Sequence, residues 1–136
     1  MDCEDNGTER EWGRYQIDVG WFERNGRSFT AMAERCLCPA CRKRLSKDRG
    51  KWPPESYLAT IRDCCSGAPG FISGTTPIME SVFRLFLANG NQSLDLIDLG
   101  SQLSDRRGVD TYRTSVEVLS RLLEHDRSYG IQPVED

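Results

Sequence analysis

Five of the chain's six cysteines fall between Cys36 and Cys65, and its single histidine, His125, lies far beyond them. Cys38-Pro39-Ala40-Cys41 is a C-x2-C unit, and Cys64-Cys65 is an adjacent pair with 22 residues between. Whether such cysteines become disulfides, metal ligands or redox groups depends first on compartment. The opening residues, Met1-Asp2-Cys3-Glu4-Asp5-Asn6, are acidic and lead into no apolar run, so no secretory signal is expected. No segment approaches the ~20 apolar residues that span a bilayer. The expectation is a cytoplasmic chain without membrane contact, whose thiols stay reduced and free to bind metal.

A closed metal site takes four ligands in a tetrahedron, usually Cys or His. With the histidine remote, the expected ligands are Cys38, Cys41, Cys64 and Cys65. Adjacent side chains diverge on helices and strands, so Cys64 and Cys65 converge only where the chain turns between them. Cys36 is the rival for one of those two places. It also falls at i+7 from Phe29, beyond Met32 at i+3, which suits a buried thiol. Cys3, on the polar arm, is expected to be uninvolved. Over about five residues, Cys38-Pro39-Ala40-Cys41-Arg42 resembles the knuckles of zinc-ribbon and rubredoxin-like modules, a resemblance that implies Zn2+. An iron–sulfur cluster would use the same thiols. A thiol redox or metal sensor is a further alternative, because basic neighbours favour thiolate. Structural zinc is preferred because a small two-part fold gains most from a staple.

At 136 residues the chain can build one compact domain or two very small ones. A charged fraction of 29% with aromatics throughout describes a folded protein. The net charge of −3 is unevenly spread. Arg35 to Lys51 carries seven basic residues against Asp48 alone, a local +6, whereas Pro77 to the end carries six Arg against ten acids. Arg42, Lys43, Arg44, Lys47, Arg49 and Lys51 are therefore candidate nucleic-acid contacts. The competing reading is that they neutralise a thiolate-rich metal centre.

Along the chain, residues 1–12 read as a flexible polar arm. Tyr15, Ile17, Val19 and Trp21 alternate as in a half-buried strand, and Asn25-Gly26 is a turn signal. Phe29, Met32 and Cys36 predict a helix started by Ser28 or Gly26, with a strand over Arg27–Thr30 as the alternative. Pro53-Pro54 opens a helix carrying Tyr57, Leu58 and Ile61. The run from Ser66 to Gly74 breaks regular structure, placing a boundary between 13–74 and 75–136. Beyond it, Thr75 or Thr76 with Pro77 predicts a helix start, and Gly90 an end, with Ile78, Val82, Leu85 and Phe86 inward. Asp95 caps a second helix carrying Leu96, Leu99 and Leu103, where Gly100 suggests a close contact. Thr114 to Glu117 has the capping-box pattern before Val116, Leu119, Leu122 and Leu123, and Tyr129 to Ile131 predicts a terminal strand.

Helix, short helix, capped helix and terminal strand, with apolar Leu94, Ile97, Leu99 and Leu103, resemble the winged-helix and helix-turn-helix superfamily over about residues 77–134. That resemblance puts the helix from Ser115 to Glu124 in the recognition position. Glu117 and Glu124 there oppose DNA reading, only about ten residues follow for a wing, and the acidic balance favours protein docking. A plain three-helix packing module is the alternative. The expected fold is α+β: a small zinc-stapled lobe at 13–74 packed on a winged-helix-like lobe at 75–136. No G-x-x-x-x-G-K-[ST], G-x-G-x-x-G or G-x-S-x-G occurs. The chain reads as a non-enzymatic adaptor or regulator of a nucleic-acid machine, in transcription or translation. The alternative is a protein–protein assembly factor with no nucleic-acid contact.

Overall fold

The computed structural model describes residues 13–108 and 114–134. The arm at 1–12, with Cys3 and Trp12, and Arg113 lie outside the described residues. The described residues form an α+β fold of seven α-helices and one three-stranded antiparallel sheet.

The first strand, β1 (Arg14–Ile17), is shorter than the alternation predicts, and Val19 and Trp21 belong instead to helix α1 (Val19–Arg24). The change of direction occurs at Asp18. Its N–H donates to the Gly130 carbonyl at 2.8 Å, its carbonyl accepts from Trp21 N–H at 2.9 Å, and its carboxylate pairs with Arg24. Over so few residues an alternating pattern also fits one turn of helix, and the local hydrogen bonds decide. Gly26, at φ +68°, turns the chain into α2 (Phe29–Glu34). Ser28 caps α2 by accepting from Ala31 N–H at 3.1 Å, which removes the alternative strand over Arg27–Thr30.

Two helices begin on proline: α3 (Pro39–Lys47), with Cys38 at its N-cap, and α4 (Pro54–Asp63), with Pro53 at its N-cap. A single 3-10 turn over Cys65–Gly67 follows α4. The central helix α5 (Ile78–Ala88) buries Ser81, Val82, Phe83, Leu85, Phe86 and Leu87, so apolar neighbours surround it on most sides. Pro77 itself takes the N-cap of α5, and Thr76 serves the preceding loop, accepting from Ser73 N–H at 3.1 Å.

The remaining elements are β2 (Leu94–Asp95), α6 (Leu96–Arg107), α7 (Val116–Glu124) and β3 (Ile131–Pro133). Asp95 caps α6 through Asp98 N–H, and Ser115, one residue on from the capping-box Thr114, caps α7 through Val118 N–H. Gly100 on α6 is buried against the chain entering α7. A Cβ there would lie 2.4 Å from the Thr114 carbonyl oxygen, so the close approach is backbone on helix.

The sheet order is β2-β1-β3. Tyr15 faces Leu94 on one side and Pro133 on the other, and Ile17 faces Ile131. A strand from the first half of the chain therefore lies between two from the second half. Where β2 ends short of Ile17, Asn91 substitutes for a strand neighbour. Its side-chain amide accepts from Ile17 N–H at 2.9 Å and donates to the Ile17 carbonyl at 2.8 Å. One apolar core runs through both halves. At its centre Phe22, Phe29 and Phe83 pack with ring centroids 5.6–6.4 Å apart, and Tyr129 lies 5.5 Å from Phe83. No helix among the described residues is long and apolar enough to cross a membrane.

Candidate metal centre

Cys38, Cys41, Cys64 and Cys65 place their sulfurs all within 4.8 Å of one another, arranged to hold a metal ion. Each ligand pair comes from a helix end. Cys38 is the extended N-cap of α3 and Cys41 sits in its first turn, because Pro39 fixes the helix start between them. Cys64 closes α4 at φ −133°, ψ −65°, and Cys65 opens the 3-10 turn. That break in the helix lets two adjacent side chains converge.

The Cys38–Cys64 and Cys41–Cys64 sulfur distances are 4.0 Å and 3.6 Å. A tetrahedral ion with metal–sulfur bonds of ~2.3 Å separates its sulfurs by about 3.8 Å, so both edges fit. Both are far beyond the ~2.05 Å of a disulfide, and all five described cysteines are free thiols. Cys41 and Cys65 are buried and Cys64 is exposed, giving the centre one wet edge.

Backbone and side-chain donors already surround this position. Cys38 N–H donates to the Cys65 sulfur at 3.2 Å, and an Arg44 Nη1 donor reaches the Cys41 sulfur at 3.7 Å. Such donors stabilise thiolate. The Cys41 backbone N–H lowers the Cys38 thiol to about 7, whereas burial pushes Cys41 and Cys65 up, and hydrogen bonding with Cys41 pushes Cys64 up. Burial and hydrogen bonding within the group thus favour the protonated form at Cys41, Cys64 and Cys65. Binding an ion therefore requires loss of those protons.

Cys36 takes no part in the four-sulfur group. It is buried in the core, and its thiol points to the Met32 carbonyl at 3.6 Å. Of the two sequence alternatives for Cys36, the geometry matches the core thiol.

The six basic candidates divide by their position around α3. At about 100° per residue, Cys41 and Leu45 share the buried face, Lys43 and Lys47 point away from it, and Arg42 and Arg44 flank it. Arg42 reaches back to the carbonyls of Leu37 and Arg35 at 3.2 and 3.1 Å, satisfying groups just beyond α2. Arg44 lies 5.6 Å from the ring centroid of Trp52 while reaching Cys41. Trp52 in turn donates to Asp48 at 2.7 Å and packs on Tyr57. Lys43, Lys47, Arg49 and Lys51 are exposed and form no ion pair among the described residues. Sequence reasoning grouped all six residues because charge alone does not reveal which side chains the fold uses.

No family model matches the chain, and no curated protein or solved structure is significantly similar to it.

Proposed function

We propose that the four-cysteine centre holds a structural Zn2+ and that the protein is a non-enzymatic nucleic-acid adaptor, binding through Lys43, Lys47, Arg49 and Lys51. Four sulfurs around one point suit a single tetrahedral ion. A multi-iron cluster, with sulfide between its irons, holds its cysteines further apart. Zinc here joins the start of α3 to the end of α4, the zinc-stapled lobe, and fixes the α3 surface as a rigid platform.

The observation that carries the nucleic-acid reading is the division of the basic residues. Arg44 is the cation at the thiolates and Arg42 is taken up by carbonyls, so Lys43, Lys47, Arg49 and Lys51 remain, exposed and without an ion pair among the described residues. If each neutralises one phosphate, log affinity falls against log salt with a slope of about −3 for a single strand. Fluorescence anisotropy with labelled single-stranded and duplex oligonucleotides across salt concentrations measures this slope. Replacing the four residues by alanine should flatten it while zinc content, measured by elemental analysis, stays at one ion per chain. Absence of binding by the wild type at low salt removes the nucleic-acid reading. Iron with visible absorbance removes the zinc reading.

The C-terminal elements also support the winged-helix-like reading. Three helices, α5, α6 and α7, followed by β3 keep the order of the resemblance, although β2 intervenes and α6, at 12 residues, is not short; β1 adds a strand beside β3. The exposed Ile97 on α6, 54% accessible, favours a second, protein-docking role for this half. Should nucleic-acid binding fail, assembly through that surface is the better account.

A further inference from the structure

Three arginines, Arg35, Arg42 and Arg84, lie around a cavity of about 230 Å3 between α2, α5 and the turn at Tyr129. Its apolar wall is built by Met32, Phe83 and Tyr129, and its polar rim by Arg35, Arg42, Arg84 and Glu80. At ~30 Å3 per water-sized group, the space suits a guest of about eight non-hydrogen atoms.

The rim is positive after internal pairing. Glu80 is matched by Arg84, whose Nη2 lies 2.9 Å from it and whose guanidinium also lies over the Phe71 ring. That leaves two cations. Arg42 is held in place by its bonds to Leu37 and Arg35 carbonyls through Nε and Nη2, which leaves Nη1 without a hydrogen bond among the described residues. The Arg35 guanidinium makes no hydrogen bond or ion pair among the described residues, and Arg35, Glu80 and Tyr129 line the same cavity.

We propose that this cavity binds a small organic carboxylate with an apolar body, its anionic end on Arg35 and Arg42 and its body against Met32, Phe83 and Tyr129. Planar guanidinium groups match a planar carboxylate. The Glu80 carboxylate on the same rim disfavours a more highly charged, wholly polar anion such as phosphate. The cavity shares no residue with the four-sulfur group or with the Lys43–Lys47 face.

Benzoate, benzamide and inorganic phosphate serve as probes in NMR titrations of the full chain as purified, at constant ionic strength. Benzoate should shift the Met32 methyl and the amides of Cys36, Phe83 and Tyr129 in a saturable way. Benzamide, which keeps the shape and loses the charge, should bind at least ten-fold more weakly, as expected for a lost charge-assisted hydrogen bond. Arg35→Gln should weaken benzoate by a similar factor. Arg35 is exposed and supports no other side chain, so this variant keeps the wild-type spectrum outside the pocket. Unsaturable shifts, equal binding of benzamide, an unchanged Arg35→Gln affinity, or phosphate binding as tightly as benzoate would each overturn the assignment.

Discussion

Replacing Cys41 by serine tests how much of this fold depends on the metal. Cys41 is buried in the first turn of α3, beside Cys64 and under Arg44. Structural zinc contributes roughly 10–16 kcal/mol in small zinc-finger peptides, whereas a whole domain is stable by only about 5–15 kcal/mol. Losing even half of the metal's contribution therefore takes several kcal/mol from the fold. For a chain of this length each kcal/mol corresponds to about 3–4 °C in Tm. Cys41→Ser should melt at least 15 °C lower, or without a cooperative transition. Cys36→Ser is the matched control, since Cys36 is also buried but lies outside the four-sulfur group, with its thiol on the Met32 carbonyl. Its hydroxyl can keep that bond, at a burial cost of about 1–2 kcal/mol and a few degrees. Circular dichroism melts with and without a chelator separate the cases: chelator should bring the wild type down to Cys41→Ser and leave Cys41→Ser unmoved. Equal melting of the two variants, with no chelator effect on the wild type, would refute the reasoning.

Three further outcomes are expected. Gly100→Ala gains about 1 kcal/mol of helix propensity but forces a methyl to 2.4 Å from the Thr114 carbonyl. Overpacking of 1–3 kcal/mol or more wins, and a raised urea midpoint would contradict the close approach. Asn91→Ala removes both amide bonds to Ile17 from a residue at φ +62°, costing about 2–4 kcal/mol by chemical denaturation. Asn91→Gly should lose less, because glycine accepts that backbone. In metal-stripped protein, iodoacetamide should label Cys38 before the more exposed Cys64, because Cys38 is lowered to about 7 and Cys64 is raised. Thiolate is the reactive form, so the Cys38 rate rises with pH through about 7 and falls on acidification. Peptide mapping led by Cys64 would contradict this, and metal loading should protect both.

What could be read from the sequence was local. The ligand spacing, the proline-led starts of α3 and α4, and the caps Ser28 and Asp95 each depend on a few consecutive residues, and the structure has them. The sheet was less legible, because nothing near Tyr15 indicates that its partners are Leu94 and Pro133. The predicted strand runs on through Trp21 for the same reason: the Gly130 carbonyl that ends it is remote in sequence. Phe83, central to the aromatic group, lay off the predicted stripe because α5 is buried on more than one face. Arg42 looked like a surface charge, and only its carbonyl partners show that it holds the chain after α2.

The position of β1 sets an order of events during synthesis. The Cys41–Cys64 contact spans 23 positions, so the four-cysteine loop can close soon after Cys65 leaves the ribosome. β1, though made before its partners, cannot pair with Ile131–Pro133 until more than a hundred further residues exist. Contacts of such separation form late and slowly. The nascent chain would carry a closed cysteine loop while Tyr15 and Ile17 still wait for their neighbours, two apolar side chains exposed to whatever meets them first.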